Sequence, residues 1–203
     1  MLPIQLHTNG RLALVVGAGK VGLRKANAWR QAGGIVRFVD PKSDLEPGGE
    51  IIRETFAPRH LEDVALVFAC ATDEVNALVV ATARANGLLV CDAAHPERGD
   101  FALPAIMRRG DLTIAVATGG TAPALAQRLR DRLESEFDES YADWTRILGA
   151  VRPTILNATE NPETRRDLFR SLTDPSWLER LRQIGPEAAE AEMRQFIATA
   201  DGL

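Results

Sequence analysis

The sequence predicts an α/β fold: a Rossmann-like, doubly wound parallel sheet, followed by a dimerisation segment and a helical C-terminal part. Short apolar runs alternate with helical segments in the first half of the chain, as they do when helices cross over between parallel strands. The runs are largely continuous in apolar character, which is typical of strands covered on both faces. After about residue 120, only helical periodicity remains.

The order of elements follows from these patterns and from prolines that mark helix starts. The predicted strands are residues 12–16, 35–39, 51–56, 65–70, 88–91 and 112–117. The predicted helices are residues 20–32, 74–86, 121–137, 141–156, 162–172, 175–184 and 186–200. We expect three regions: a nucleotide-binding domain at 1–112, a dimerisation segment at 113–145 and a helical domain at 146–203.

The composition excludes several classes of protein. The 203 residues carry a net charge of -4, so nonspecific nucleic-acid binding is not expected. No apolar run is long enough to span a bilayer, and the N-terminus lacks a signal peptide pattern, so we expect a cytoplasmic protein without a membrane partner. Cys70 and Cys91 end apolar runs and are expected to be buried, reduced thiols rather than metal ligands. No pair of histidines has metal-ligand spacing.

A glycine-rich turn follows the first predicted strand, with the spacing Gly17-x-Gly19-x-x-Gly22. Gly17 permits the tight turn, Gly19 lets a pyrophosphate approach the backbone, and Gly22 lets the helix pack against the strand. Asp40 ends the next strand, where a carboxylate binds a ribose diol and favours NAD over NADP, although Arg37 can weaken that preference. The predicted cofactor site comprises Gly17, Ala18, Gly19, Lys20, Val21, Gly22, Asp40, Ala71, Thr72 and Asp73.

Polar residues after later strands supply candidates for catalysis. Histidine suits proton transfer near neutral pH, so we expect His95 to act as the base, with Asp92 and Asp100 as substitutes. Other readings stay open: Thr72 as a helix cap, His95 as a solvated loop residue, and Phe101 as a core aromatic.

A second glycine pair precedes a predicted helix and indicates an anion site. Thr121 is a plausible N-cap there, although a simple helix-start turn would also explain the pair. The predicted substrate-binding residues are Phe101, Arg98, Arg108, Arg109, Thr118, Gly119, Gly120, Thr121 and Arg128. For the arginines at 108 and 109, a solvated cationic face is the alternative.

Several stretches together resemble the siroheme synthase N-terminal family. They are LPI at residues 2–4, GAGKVGLRKA at 17–26, ATDEVN at 71–76, and DFALPAIMRRGDLTIAVATGGTAPALAQRLRDRLE at 100–134. The resemblance implies NAD-dependent oxidation of precorrin-2 to sirohydrochlorin, a tetrapyrrole substrate, and in some members the insertion of Fe²⁺. Family members carry an aspartate where this chain has His95. The resemblance therefore implies dehydrogenation more firmly than chelation.

Two other functions stay open at this stage. The glycine turn and Asp40 would also suit an NAD-sensing regulatory domain. The second alternative is a tetrapyrrole-binding or chelatase protein that has no dehydrogenase activity. A leucine stripe at Leu125, Leu129 and Leu133 predicts a homodimer, because it needs an apolar partner. The alternative is that the C-terminal helices cover the stripe. We expect the methylation steps to lie on another protein.

Overall fold

The computed structural model describes residues 1–43 and 49–200 and divides the chain into two compact units, Met1–Leu103 and Pro104–Leu203. The three predicted regions, with boundaries after residues 112 and 145, were assigned by function and not by compactness alone, so they stay predictions. The three C-terminal residues of the predicted helical domain lie outside the described part of the chain. No helix among the described residues is long and apolar enough to cross a membrane.

The first unit is built on a parallel sheet of five strands in the order β3-β2-β1-β4-β5, which confirms the α/β prediction. The strands are β1 Leu12–Val16, β2 Ile35–Val39, β3 Glu50–Ile52, β4 Leu66–Ala69 and β5 Leu89–Asp92, with helices α1 Lys20–Gln31 and α2 Asp73–Ala85. The chain order reverses between β1 and β4, so the crevice at their carboxyl ends is where this fold binds ligands.

Alternating side chains of β1 bury the two faces of the sheet against different helices. Ala13 and Val15 belong to a cluster that includes Trp29 of α1, while Leu14 and Val16 belong to one that includes Val79 of α2. Each face thus has its own helix, and the central strands β1 and β4 are apolar throughout because both of their faces are covered. This packing fixes the glycine turn and the ends of β4 and β5 as one rigid rim.

The second unit begins with an antiparallel hairpin of β6 Ala105–Arg109 and β7 Leu112–Val116. The strand predicted at residues 112–117 is therefore present as β7, but as a half-exposed hairpin strand rather than one covered on both faces, and β6 was not predicted. Gly110, at φ +54°, opens the two-residue turn between the strands, where hairpins favour a glycine. Along β7 the partly buried Leu112, Ile114 and Val116 alternate with exposed residues, which is the pattern of a half-exposed antiparallel strand.

Five α-helices complete the second unit as far as it is described, to residue 200. They are α3 Pro123–Glu136, α4 Ser140–Ala158, α5 Pro162–Leu172, α6 Pro175–Ile184 and α7 Pro186–Ala200. The core of α4 to α7 contains fully buried Ile147, Val151 and Ile155 of α4. The predicted bounds of the last three helices are confirmed, because proline at the first helical position fixes each start.

Candidate functional site

The glycine turn after β1 requires glycine at Gly17. Its φ of +99° is a left-handed conformation, and a Cβ atom there would lie 2.5 Å from the carbonyl oxygen of Cys70. The Gly17 amide donates to the Val39 carbonyl of β2 at 2.9 Å, and the Cys70 amide donates to the Val16 carbonyl at 2.8 Å. The turn is therefore held between the carboxyl ends of β2 and β4.

Gly22 and Gly19 meet different constraints in the same turn. A Cβ at Gly22 would lie 2.0 Å from the Gly17 carbonyl oxygen, so only glycine lets α1 pack this closely. Gly19 is the N-cap of α1, and beyond its two chain neighbours no described atom lies within 4 Å of the position that its Cβ would take. The first turn of α1 carries Lys20 and no acid, and its amides point toward this space. The turn and helix start thus form a cradle that fits a pyrophosphate.

Asp40 lies beside the cradle at the end of β2. Its Oδ2 accepts the Ala18 amide of the glycine turn at 2.8 Å, and its Oδ1 accepts the Lys42 amide at 2.9 Å. Arg37 lies within β2, where it donates to Glu50 at 2.8 Å and to the Glu62 carbonyl at 3.3 Å. Its guanidinium is thus committed to the β2–β3 edge of the sheet. Backbone amides thus orient the carboxylate of Asp40 beside the glycine turn.

The turn after β4 lies next to the glycine turn and leads into α2. The Ala71 amide donates to Oδ1 of Asn76 at 2.9 Å. Thr72 occupies the N-cap position of α2, but its side chain makes no capping hydrogen bond, so the reading of Thr72 as a side-chain cap is wrong. Its hydroxyl stays exposed on the rim that faces the crevice.

Asp92 is a buried organiser of the loop after β5. Its Oδ1 accepts the amides of Ala94 and His95 at 2.9 and 3.0 Å and lies 3.3 Å from the Asn76 amide nitrogen, Nδ2. Its Oδ2 forms a 2.9 Å ion pair with Arg98, and the side chain has no solvent exposure. These contacts occupy the carboxylate that we expected to substitute as a base.

His95 is half-exposed and lies between two carboxylates. Its Nε2 is 3.2 Å from Oδ1 of Asp73, and its Nδ1 is 3.1 Å from Oε1 of Glu97. Arg98 also contacts Asp73 through Nη2. The hydrogen bond from Arg98 is the main cause that holds the pKa of Asp73 below its ordinary value. For Glu97, a backbone hydrogen bond and then His95 lower the pKa.

Asp100 anchors the loop after β5 to its surroundings. Its Oδ1 accepts two hydrogen bonds from Arg84 of α2, at 2.7 and 2.9 Å, and its Oδ2 accepts the Val90 amide at 3.0 Å. Partial burial raises the pKa of Asp100, but the Arg84 and Val90 hydrogen bonds outweigh it and the pKa is lowered. The ring of Phe101 packs edge-on against Phe68 at 5.6 Å, as the core-aromatic reading expects.

The second unit holds the remaining predicted substrate-binding residues. Arg109 is committed to the end of α3: its Nη2 donates to the Glu134 carbonyl at 2.9 Å, and its Nε lies 3.3 Å from Glu139. The side chains of Arg108 and Arg128 have no ion-pair partner among the described residues. They remain the available cations of this set.

The turn that precedes α3 contains Thr118, Gly119, Gly120 and Thr121. Gly119 and Gly120 have φ of +64° and +85°. The Thr118 hydroxyl accepts the Ala122 amide at 3.2 Å, whereas the Thr121 hydroxyl donates to the Thr118 carbonyl at 2.6 Å. Thr121 is therefore not the N-cap, since Ala122 occupies that position.

Both cysteines are free thiols. Burial, reinforced by neighbouring Cys91, raises the pKa of Cys70 to about 12, and burial also raises the pKa of Cys91. The thiols are therefore protonated near neutral pH and are poor nucleophiles.

Sequence reasoning assigned no role to Asn76, although it links the turns after β4 and β5. It is fully buried on the face of α2 that carries Val79, Val80 and Ala83. A polar residue on an apolar helix face was the available signal, because a buried amide needs hydrogen-bond partners.

Comparison with known proteins defines the class of the chain. Residues 4–105 match the NAD(P)-binding family model NAD_binding_7, and residues 109–136 match the model described as sirohaem biosynthesis protein central. The siroheme synthase of Pseudomonas paraeruginosa is 32% identical over 97% of this chain and 44% of its own length. That of Chromobacterium violaceum is 33% identical over 97% of this chain and 43% of its own length. The chain thus spans less than half the length of these curated relatives.

One solved structure, titled SirC, precorrin-2 dehydrogenase, has a TM-score of 0.78 and 25% sequence identity. The match covers 98% of this chain and 100% of that one. The fold, the glycine cradle and the family model define an NAD(P)-binding protein of the Rossmann type. More particularly, the chain belongs to the siroheme synthase N-terminal family.

Proposed function

We propose that the protein oxidises precorrin-2 to sirohydrochlorin with NAD as the acceptor. One observation carries the proposal: the glycine cradle and the oriented Asp40 carboxylate occur in a chain that matches a precorrin-2 dehydrogenase along its full length. An NAD-sensing domain would need the cradle alone. It would not need the sirohaem-type segment at residues 109–136.

Asp40 supports NAD as the preferred cofactor. We place the adenosine ribose of the cofactor at this carboxylate, which would repel a 2′-phosphate. Arg37 does not offset that charge, because it is engaged with Glu50 and the Glu62 carbonyl. Bound NAD supplies the acceptor for a hydride that leaves a saturated carbon of the macrocycle.

A proton must leave the substrate together with the hydride. His95 is the proposed acceptor because it is half-exposed and lies at the carboxyl end of β5, next to the ligand crevice. Asp92 and Asp100 are poorer candidates, since both are held by hydrogen bonds and arginines. The extended conjugation of the product favours the reaction, so the main task of the protein is to position the two reactants.

The substrate carries many carboxylates, which an acidic protein must attract with local positive charge. Arg108, Arg128 and the turn at residues 118–121 are proposed to bind them. Arg98 and Arg109, which we also expected in this role, are paired with acids of the chain. For Phe101 we propose only that its ring lines the bottom of the substrate site, because the ring packs against Phe68.

Insertion of Fe²⁺ into sirohydrochlorin is a second candidate activity. His95 lacks the negative charge of the family aspartate, but the carboxylates of Asp73 and Glu97 lie 3.2 and 3.1 Å from its ring. They restore negative potential where a ferrous substrate would need it. Among the described residues, no three ligand side chains are grouped to hold a resident metal ion.

The proposed assembly is a homodimer in the cytoplasm. Leu125 and Leu129 of α3 are 50% and 39% exposed, whereas Leu133 is partly buried, so two of the three leucines of the stripe are free to meet a partner. Free thiols at Cys70 and Cys91 are usual in a reducing compartment.

An absorbance assay tests the function directly. The purified chain is mixed with precorrin-2 and NAD, and NADH and sirohydrochlorin are followed together. We expect equimolar formation of both, and a slower reaction with NADP. NAD binding without turnover would contradict the proposal and favour a sensing role. A separate assay with sirohydrochlorin and Fe²⁺ tests chelation.

A further inference from the structure

We propose that Asp73 and Arg98 are positioning residues that hold the imidazole of His95 for proton transfer. The inference rests on the proposed function and reassigns two residues that the sequence placed in cofactor and substrate binding. It depends on a closed ring of four side chains at the ends of β4 and β5.

The ring starts from a buried anchor. The Asp92 carboxylate has no solvent exposure and accepts the His95 amide at 3.0 Å, which fixes the backbone that carries the imidazole. Its second oxygen holds Arg98 at 2.9 Å. A buried carboxylate that lost this cation would be strongly destabilised, so Arg98 is held firmly.

Arg98 links the buried carboxylate of Asp92 to the exposed carboxylate of Asp73. Its Nη2 contacts both Asp92 and Oδ1 of Asp73, the first residue of α2. The same Asp73 oxygen lies 3.2 Å from Nε2 of His95, which closes the ring. The paired β4 and β5 keep the two loops in register, since Ala69 lies opposite Asp92.

The two ring nitrogens of His95 therefore have unequal partners. Nε2 faces Asp73, which Arg98 holds in place. Nδ1 faces Glu97, whose side chain is 71% exposed and can be displaced by a ligand. We assign Nε2 as the nitrogen that donates to Asp73 and Nδ1 as the one that accepts the substrate proton, which then passes to water. A carboxylate that fixes the histidine tautomer in this way also stabilises the imidazolium that forms.

The charged groups that face His95 are Asp73 from α2 and Asp92, Glu97 and Arg98 from its own loop. Hydrogen bonding to Arg98 lowers the pKa of Asp73, so this carboxylate stays ionised through the pH range of an assay. It is thus a constant negative charge beside the imidazole.

Asp73→Asn tests the proposal, with Glu74→Gln as the matched control. Glu74 is also exposed in the first turn of α2, so both variants remove one charge from the helix start, but Glu74 is outside the ring. We expect Asp73→Asn to lower kcat at saturating NAD about 10-fold or more, within the range for general-base catalysis, and to move the acid limb of kcat to lower pH. The NAD affinity of Asp73→Asn should change less than twofold. In the control Glu74→Gln, both kcat and NAD affinity should change less than twofold.

An independent readout needs no substrate. Imidazole resonances of the full chain, titrated by NMR, should show the midpoint for His95 shifted to lower pH in Asp73→Asn and unchanged in Glu74→Gln. Arg98→Lys should keep part of the rate, because an ammonium can still bridge two carboxylates but lacks the planar fork.

The outcomes separate the inference from the proposed function. If the unmodified chain does not oxidise precorrin-2, the function fails, while the NMR titration still tests the ring. If it does, an Asp73→Asn variant with unchanged kcat, pH limb and His95 titration overturns the inference. Weakened NAD binding with normal kcat at saturation would also overturn it, since Asp73 would then belong to the cofactor site.

Discussion

At the residue scale, the glycine turn separates cofactor binding from folding. Gly19→Ala should weaken NAD binding about 10-fold or more while the free energy of unfolding changes little, because the new methyl group enters the space for the pyrophosphate and touches no described atom. Gly17→Ala is the comparison variant. Its φ of +99° and the 2.5 Å approach to Cys70 should cost several kcal/mol of stability. NADH fluorescence titration and urea denaturation measure the two effects; equal binding by Gly19→Ala would contradict the cradle.

Asp40 controls the choice of cofactor in the second prediction. Asp40→Asn should narrow the ratio of kcat/KM for NAD over NADP, since the amide no longer repels a 2′-phosphate but can still accept from Ala18. Steady-state kinetics with both cofactors provide the test. If the unmodified chain uses both equally, the assignment of Asp40 fails.

His95 is the subject of the third prediction. His95→Ala should lower the rate of dehydrogenation by about 10²–10⁴-fold, the usual range for loss of a general base, with NAD affinity nearly unchanged. His95→Asp restores the family residue and should retain oxidation. Single-turnover NADH formation measures both. An alanine variant with normal turnover and pH profile would show that the proton leaves directly to water.

Some residues of this site could be predicted from the sequence, and others could not. Gly17, Gly19, Gly22 and Asp40 could be predicted because each meets a local backbone or charge requirement of a nucleotide-binding turn. The ring around His95 was not found, since Asp73 and Arg98 are brought together only by the pairing of β4 with β5. Contacts of this kind depend on tertiary packing and leave no local pattern.

At the element scale, Asp100 ties the loop after β5 to α2, and this gives the fourth prediction. Its pKa is lowered in the folded state, so its stabilising contribution is present above the unfolded value of about 3.9 and is lost as pH falls through the lower, folded value. Asp100→Asn should reduce the free energy of unfolding by about 1 kcal/mol at pH 7 and by less near pH 3. The loss at pH 7 is this small because Arg84 is half-exposed, so that water screens its ion pair with Asp100. Urea denaturation at both pH values, with Asp167→Asn on the exposed surface of α5 as control, measures it. An equal loss at both pH values would rule out the ion pair as its cause.

The hairpin shows why strand type was harder to predict than strand position. A strand was correctly predicted at residues 112–117, but its apolar run was grouped with those of strands covered on both faces, whereas β7 is half-exposed and pairs with β6. Gly110 in a two-residue turn and the alternation along β7 are local signals for a hairpin, and the more numerous continuous strands outweighed them. The prolines at the starts of α5, α6 and α7 were unambiguous because proline disrupts a helix interior but suits its first turn.

At the scale of the whole molecule, the second unit of a single chain exposes apolar side chains to solvent. Within the described residues the β6–β7 sheet has two strands, and a sheet of this size needs further packing to be stable. On α3 the buried face is small, with Ala126 as its buried residue among those described, while Leu125 and Leu129 stay exposed. A second copy of the segment at residues 113–145 would cover these side chains through a symmetric interface.

The fifth prediction is therefore a dimer that depends on α3. Light scattering at micromolar concentration should give twice the 22.1 kDa of one chain. The double variant Leu125→Glu, Leu129→Glu should give the monomer mass, because two charges would be buried at the interface without partners. Leu78→Glu on α2 is the control, since Leu78 is 54% exposed, like Leu125 at 50%, but lies outside the predicted segment. A monomer in the unmodified chain would refute the dimer, and dissociation by the Leu78 variant alone would place the interface on the first unit instead.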